Sequence, residues 1–105
     1  MPGGDKKYRV IIQEPAVEML VQHSRFLAQV SETAALGLVA EFKTKAKSLE
    51  TMPERCSWLY HPMISEHKYR KLVFGKYYML IFQIIGENVF VDAMVDCRQD
   101  YVWLL

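Results

Sequence analysis

The sequence predicts a single α+β domain in which an antiparallel sheet packs against an N-terminal helical hairpin, in the order β-α-α-β-β-β. Three observations support this fold class. A short β-rich run opens the chain, two stretches with apolar residues at helical spacing follow, and three β-rich runs separated by glycine turns fill the last third. We expect one domain over residues 1–105, with residues 1–6 flexible, because 105 residues that are 51% hydrophobic suffice for one core.

The charge, the two cysteines and the lengths of the apolar runs indicate which partners, thiol state and cellular location to expect. Lys and Arg number 13 and Asp and Glu 12, so the net charge of +1 indicates no particular partner, and a nucleic-acid surface would need local clustering. Cys56 and Cys97 lack CxxC spacing, which favours two reduced thiols over a disulfide. The N-terminus has no apolar signal segment, and no run reaches the ~18 apolar residues of a membrane span. We therefore expect a cytoplasmic protein without a membrane segment.

The first half of the chain predicts one strand and two helices. Tyr8 to Gln13 is rich in β-formers, and Pro15 suits the first turn of a helix. The apolar stripe of that helix comprises Ala16, Leu20, His23, Leu27 and Val30.

A second helix follows directly. Ser31 is its expected N-cap, and Pro53 is expected to end it. Gly37 inside it costs about 1 kcal/mol relative to Ala unless it permits close approach of the first helix. Its buried stripe comprises Ala35, Leu38, Phe42, Ala46 and Leu49.

The second half predicts an irregular connection and a three-stranded meander. Residues 53–67 show no clean period. The β-rich runs then extend over Tyr69 to Phe74, Tyr77 to Ile85 and Val89 to Val95, with glycine turns between them. The middle run is apolar on both faces, which predicts a central strand covered on both sides. In the last run, alternation predicts that Val89, Val91, Ala93 and Val95 share a face.

The order of elements and the C-terminal third resemble the RelE/ParE toxin superfamily. Residues 69–84, YRKLVFGKYYMLIFQI, are similar to the family's strand pair, in which a basic residue opens one strand and a turn leads into a strand with alternating Tyr and aliphatic residues. Val89 to Tyr101 resembles its last strand and basic-aromatic ending. The resemblance covers about residues 7–102 and is architectural only over the helices.

This resemblance implies a biological role as well as a fold. Members of the superfamily are toxins of bacterial type II toxin–antitoxin pairs, held inactive by a co-encoded antitoxin whose flexible C-terminal segment wraps the toxin. RelE-like members cut mRNA on the ribosome, whereas ParE-like members inhibit DNA gyrase. We therefore expect a cognate antitoxin as partner, gyrase or ribosome and mRNA as target, a dimer or toxin–antitoxin hetero-oligomer, and no cofactor or metal.

Metal-free RNA cleavage would need cations for the phosphate and groups for proton transfer. Arg70 and Arg98 are the first candidates for phosphate contact, with Lys68 and Lys71 beside Arg70. Alternation places Lys68 and Arg70 on one face and Lys71 on the other. The same residues also have explanations that involve no catalytic or binding role. The charges around Arg70 could keep an edge strand soluble, and Arg98 could pair with Asp96 or Asp100.

Tyr101 and His67 are the candidates for proton transfer in that nuclease. His61 is a weaker candidate, and His23 is interpreted as a hydrogen-bonded histidine of the core. A metal site of Cys56, His61 and His67 lacks a recognised spacing.

Two features leave their roles open. Lys43, Lys45 and Lys47 on the second helix form either a solvated face or a basic contact surface. The apolar ending, Tyr101 to Leu105, either folds back on the core or is covered by a partner.

One departure from the family pattern bears on the target. Many RNA-cleaving members carry an arginine directly after the tyrosine of the central strand, where this chain has Met79 after Tyr78. A thioether cannot stabilise a phosphate, so this departure favours a ParE-like toxin that acts by binding. The alternatives are a ribosome-dependent mRNA endonuclease and a degenerate module that only binds an antitoxin.

Overall fold

The computed structural model describes residues 6–98, which form two helices and one four-stranded sheet. In chain order the elements are β1 (Arg9–Ile12), α1 (Glu14–Ala28), α2 (Glu32–Ser48), a short 3-10 helix (Pro53–Arg55), β2 (Arg70–Phe74), β3 (Tyr78–Ile85) and β4 (Asn88–Asp96). The predicted α+β class and β-α-α-β-β-β order are confirmed. The flexibility expected for residues 1–6 concerns positions that, apart from Lys6, lie outside the described range.

The sheet is mixed, so the prediction of an antiparallel sheet was wrong for its first strand. The strand order is β1-β4-β3-β2, with β2, β3 and β4 antiparallel to their neighbours and β1 parallel to β4. Hairpin turns fix the antiparallel pairs. No turn links Ile11 to its partner Phe90, because nearly the whole chain lies between them. Because the helical hairpin follows β1, the local sequence does not determine whether β1 runs parallel or antiparallel to β4.

Caps and a turn define the helices. The Oγ atom of Ser31 accepts the backbone N–H of Ala34 at 3.1 Å, as the N-cap prediction requires. The second helix ends at Ser48, before the expected stop at Pro53. The N–H of Leu49 turns back to the carbonyl of Ala46 at 3.1 Å, which tightens the last turn and ends the α-helical pattern. Over residues 6–98, no helix is long and apolar enough to cross a membrane.

One face of the sheet packs against both helices. The apolar stripes of α1 and α2 meet the even-numbered residues of β3, with Leu80 and Phe82 fully buried. Burial therefore confirms two positions of the predicted α1 stripe and all five of the α2 stripe: Ala16 and Leu20, and Ala35, Leu38, Phe42, Ala46 and Leu49. At the far end of α1, the sequence placed Val30 in the stripe, but this side chain is 85% exposed beyond the helix.

The opposite face of the sheet carries a second, smaller core. The connection between α2 and β2 crosses this face, and its Leu59 and Ile64 pack with Tyr69 against Met79 and Ile81 of β3. This arrangement confirms that β3 is a central strand buried on both sides. It also explains why residues 53–67 have no period, since they cover a sheet without forming a helix or strand of the main layers.

A β-bulge changes which face of the sheet the side chains of β4 point to. Ile81 pairs with Ala93 while Phe82 pairs with Val91, so Asp92 is the extra residue. As a result Val89 and Val91 point to the helices, whereas Ala93 and Val95 belong to the second core. The prediction that these four residues share a face was wrong, because strict alternation does not hold across a bulge.

Candidate functional site: two hollows at opposite ends of the sheet

The predicted site residues lie in two separate surface hollows. The first, here called the Trp58 cleft, has a volume of about 320 Å³ and brings together His67, Lys68 and Arg70. Its remaining walls are formed by Glu54, Trp58, Gln83 and Ile84. Three of the residues expected to contact nucleic acid or take part in cleavage are therefore neighbours.

Arg70 is held by the protein itself. Its Nη1 donates to the carbonyl oxygens of Cys56 at 2.7 Å and Glu54 at 3.1 Å, and its guanidinium lies 3.8 Å from the centre of the Trp58 ring. Backbone bonds join the same two segments, from Leu59 N–H to Tyr69 and from Lys71 N–H to Ser57. Arg70 therefore fastens the connection to the edge of the sheet and has a structural role.

His67 and Lys68 are exposed at the rim of the Trp58 cleft. The His67 ring lies 4.9 Å from the Trp58 ring, and its backbone adopts φ 59°, a left-handed conformation that is uncommon outside glycine. Lys68 lies over the Tyr69 ring, with its Nζ 5.3 Å from the centroid. This part of the cleft offers exposed cationic and aromatic groups to a ligand.

Lys71 points away from this cleft, as alternation predicted. It is paired with Ile81 on the second-core face, while Arg70 is paired with Phe82 on the helix face. Lys71 lines a different hollow, beside Arg55. The two neighbours therefore cannot hold one phosphate together.

The second hollow, here called the α1–β4 groove, contains Arg98. It has a volume of about 490 Å³ and runs between one side of α1 and the adjoining ends of β3 and β4. Its lining residues are Met19, Gln22, His23, Phe26, Leu27, Tyr78, Asp96 and Arg98. The residues from α1 recur at steps of three and four, so they form one continuous wall.

A two-pronged ion pair forms the polar end of this groove. Arg98 donates from Nε to Oδ1 of Asp96 at 3.0 Å and from Nη2 to Oδ2 at 2.6 Å. Its backbone N–H also donates to Oδ1 at 2.9 Å, and its guanidinium lies 3.8 Å from the centre of the Tyr77 ring. The hydrogen bonds from Arg98 lower the pKa of the buried Asp96 carboxyl to about 2. The pairing with Asp96, one of the alternatives for Arg98, is thus present.

His23 occupies a different position from the one predicted. It is half-buried in the wall of the α1–β4 groove, where its ring meets the edge of Tyr78 at 5.5 Å and an interplanar angle of 81°. The predicted stripe is buried at Ala16 and Leu20, but the histidine lies at its open margin and is not enclosed in the core. Its neighbours Tyr78 and Asp96 come from distant parts of the chain, so spacing along the helix could not reveal the groove.

The two hollows do not converge on one reaction centre. Along β3, Phe82 faces Arg70 and Tyr78 faces Asp96, and four residues of strand span about 13 Å. The convergence that RNA cleavage by Arg70 and Arg98 would need is therefore not observed between these two side chains. Tyr101 and the apolar ending lie outside the described residues.

The remaining candidates also have definite positions. Lys43 and Lys47 are exposed and Lys45 is half-buried on α2. The imidazole Nδ1 of His61 accepts the backbone N–H of Met63 at 3.0 Å. Cys56 is buried and Cys97 exposed, both as free thiols. Within residues 6–98, no group of three or more His, Cys, Asp or Glu residues is arranged to hold a metal ion.

Comparison of the sequence with models of protein families and with curated proteins gave no match.

Proposed function

We propose that this chain is a toxin of the RelE/ParE superfamily, which inhibits growth by binding DNA gyrase in a ParE-like manner and is neutralised by a cognate antitoxin. The proposal starts from the resemblance of residues 69–84 and 89–101 to the family's strands. The order of elements supports it, because a helical hairpin lies on a sheet whose last three strands are consecutive and antiparallel. We place such a protein in the cytoplasm.

The observation that favours binding over RNA cleavage is the engagement of the two arginines. Arg70 donates to two carbonyls and stacks on Trp58, and Arg98 is paired with buried Asp96 at the other end of β3. Met79 adds no polar group, since it is buried in the second core. A protein that inhibits by contact needs no set of convergent cations.

A ribosome-dependent mRNA endonuclease is the second candidate, and one observation favours it. The α1–β4 groove places the His23 imidazole and the Tyr78 phenol beside the Arg98 guanidinium, which are groups suited to proton transfer and phosphate binding. A degenerate toxin that only binds an antitoxin is the third candidate.

Conditional expression in bacteria distinguishes the three candidates. We expect filamentation with DNA damage in vivo, and loss of DNA supercoiling by purified gyrase when the purified protein is added. Translation arrest with cleaved transcripts would instead establish the nuclease. Normal growth on induction, with the protein folded and abundant, would favour the degenerate module. The double variant Asp96→Asn/Arg98→Ala, which leaves no unpaired carboxylate, should keep gyrase inhibition largely unchanged, whereas in a nuclease that uses Arg98 it should abolish RNA cleavage.

The role of Arg70 gives a further test of the nuclease. Arg70→Gln should lower the free energy of unfolding by about 1–3 kcal/mol, because two carbonyls lose a charged donor and Trp58 loses its stacking partner. The matched control Lys68→Gln, exposed at the same cleft, should change it by less than about 0.5 kcal/mol. An Arg70→Gln protein of unchanged stability that has lost RNA cleavage would instead assign Arg70 to a nuclease site.

A further inference from the structure

We propose that residues 101–105, Tyr-Val-Trp-Leu-Leu, occupy the α1–β4 groove of their own chain. In this arrangement the apolar segment returns to its own domain, the first of the two roles left open by the sequence. The arrangement does not depend on the toxin assignment, because it follows from the groove and from the point at which the described chain leaves it.

The described chain ends within the lining of the groove. Arg98, its last described residue, belongs to that lining, and its backbone N–H and guanidinium donate to the Asp96 carboxylate. The N–H of Cys97 donates to the carbonyl of Tyr77, and the Arg98 guanidinium lies over the Tyr77 ring. These contacts fix the position from which the following residues start. The chain therefore leaves the described domain at the polar end of the groove.

The residues that follow are long enough to reach the apolar wall. Met19 and Leu27 mark the two ends of this wall on α1, and eight residues of helix rise about 12 Å. Residues 99–105 span up to about 23 Å when extended. Because two residues alone link the apolar segment to Arg98, its effective concentration at the groove is on the order of millimolar. Contacts that would be weak between separate molecules can therefore hold it.

The wall and the segment are both apolar. Phe26 is 67% exposed, and Met19 and Leu27 beside it are half-buried against the core between the sheet and the helices. Every side chain of residues 101–105 is aromatic or aliphatic. Docking of the segment removes apolar surface of both the wall and the segment from water, which favours the docked state.

The charges of the groove suit a segment without charged side chains. Among the described residues, its lining holds one arginine, one carboxylate and no lysine, and Arg98 and Asp96 already neutralise each other. Residues 101–105 contain no Asp, Glu, Lys or Arg. The segment can therefore enter without bringing a charge out of water and without competing for the ion pair.

Trp103 fluorescence tests the position of the segment in the full chain. In a Trp58→Phe background, Trp103 is the one remaining tryptophan, and quenching by acrylamide measures its contact with water. We expect a bimolecular quenching constant at least threefold smaller than that of the free peptide acetyl-Gln-Asp-Tyr-Val-Trp-Leu-Leu-amide. A constant equal to that of the peptide, in a protein with native circular dichroism, would overturn the proposal.

Substitutions on α1 distinguish the groove from other surfaces. Phe26→Asp in the same background should raise the Trp103 quenching constant to nearly that of the peptide, because the segment would have to cover a carboxylate. The matched control Val17→Asp, also exposed on α1 but outside the groove lining, should leave the constant unchanged. No response to Phe26→Asp would place the segment elsewhere and contradict the proposal.

Backbone amide shifts locate the contact independently. The ¹⁵N-labelled full chain is compared with the full-length variant Val102→Ser/Trp103→Ser/Leu104→Ser, whose segment has lost its apolar character. We expect differences concentrated at residues 19–27, and addition of the free peptide to the variant should return these amides toward their wild-type positions. Differences confined to the neighbourhood of the substitutions and of residues 96–98 would argue against docking on α1.

Exchange of the segment between two copies is a separate outcome. Docking within one chain predicts a Trp103 quenching constant that stays the same over a hundredfold range of protein concentration, with the mass of a monomer by light scattering. A constant that falls with rising concentration as dimers form would assign the segment to the groove of a second copy and overturn the proposal.

Discussion

Two arginines of this chain show how one side chain serves different purposes. Arg70 uses its planar group against backbone carbonyls and an indole, whereas Arg98 grips a carboxylate with two parallel donors. Both were predicted as phosphate contacts from their place in the strands. The sequence identifies both arginines near strand ends, but the carbonyls and the indole that hold Arg70 come from a separate segment, residues 54–58.

The site could be predicted only where its residues are close in the chain. Pairing of Arg98 with Asp96 was among the sequence alternatives, because two positions separate the residues at the end of β4. The contact of His23 with Tyr78 joins a helix to a distant strand, and no pattern in either segment indicates it.

The Asp96 carboxylate should make stability depend on pH in the acid range. Hydrogen bonds from Arg98 lower its folded pKa to about 2, below the ordinary value of 3.8. A depressed folded pKa gives stability that is fully present above about pH 4 and is lost as the pH falls toward 2. We expect a loss of about 1–2 kcal/mol over this range, less than the full shift implies because the Arg98 side chain is 60% exposed.

Urea denaturation of the wild type and Asp96→Asn at several pH values measures this effect. The difference in free energy of unfolding between the two proteins should shrink as the pH falls from 4 to 2. Asp92→Asn, which leaves the Asp96–Arg98 pair intact, is the matched control and should retain the wild-type dependence. A constant difference between wild type and Asp96→Asn would contradict the assignment.

At the scale of elements, helix and turn glycines should respond in opposite ways to substitution. Gly37 lies in the middle of α2, and a Cβ added there would have nothing within 4 Å, so close helix approach does not require it. Gly37→Ala should raise the free energy of unfolding by about 0.5–1 kcal/mol through helix propensity. Gly86→Ala also enters open space but at φ +62°, so it should destabilise by about 1 kcal/mol. Chemical denaturation of both variants compares them, and a destabilising Gly37→Ala would reveal an unrecognised constraint in α2.

The β-bulge of β4 predicts that two adjacent single-residue deletions differ. Removal of Asp92 leaves a regular strand in which Ala93, Met94 and Val95 keep their faces, so we expect a folded protein destabilised by no more than about 2 kcal/mol. Removal of Ala93 instead places the Asp92 carboxyl opposite buried Ile81, which should cost more than about 3 kcal/mol. Circular dichroism and urea denaturation distinguish these results, and equal stabilities would argue against Asp92 as the extra residue.

The elements themselves were largely predictable, and their partners were not. Periodicity, the Ser31 cap and the glycine turns determine each helix and hairpin locally. The pairing of β1 with β4 and the bulge at Asp92 depend on contacts between distant segments. Local patterns therefore predict the order of elements better than the arrangement of the sheet.

For the whole molecule, the two cores should unfold together. Both are built on β3 and β4, whose side chains contribute to the core between the sheet and the helices, the helix-side core, and to the second core on the opposite face. Loss of either core therefore removes support from the other. We expect a single cooperative transition, in which Ile64→Ala in the second core and Leu38→Ala in the helix-side core each lower stability by about 2–4 kcal/mol.

Two probes report the two sides of the sheet. Trp58 fluorescence, in a Trp103→Phe background, follows the connection, and circular dichroism at 222 nm follows α1 and α2. The midpoints from both probes should coincide in the wild type and in each variant. A Trp58 transition at lower urea than the helical transition would show that the connection detaches independently.

The parallel pairing of β1 has a consequence for self-association. Among residues 6–98, β1 is the one strand that covers the outer edge of β4, which is nine residues long with mostly buried side chains. If β1 separates, this long and apolar strand becomes an exposed edge of the sheet. Its unpaired N–H and C=O groups can then form hydrogen bonds with a strand of a second molecule. We therefore expect strand-breaking substitutions within Arg9–Ile12 to produce oligomers before they produce unfolded chains.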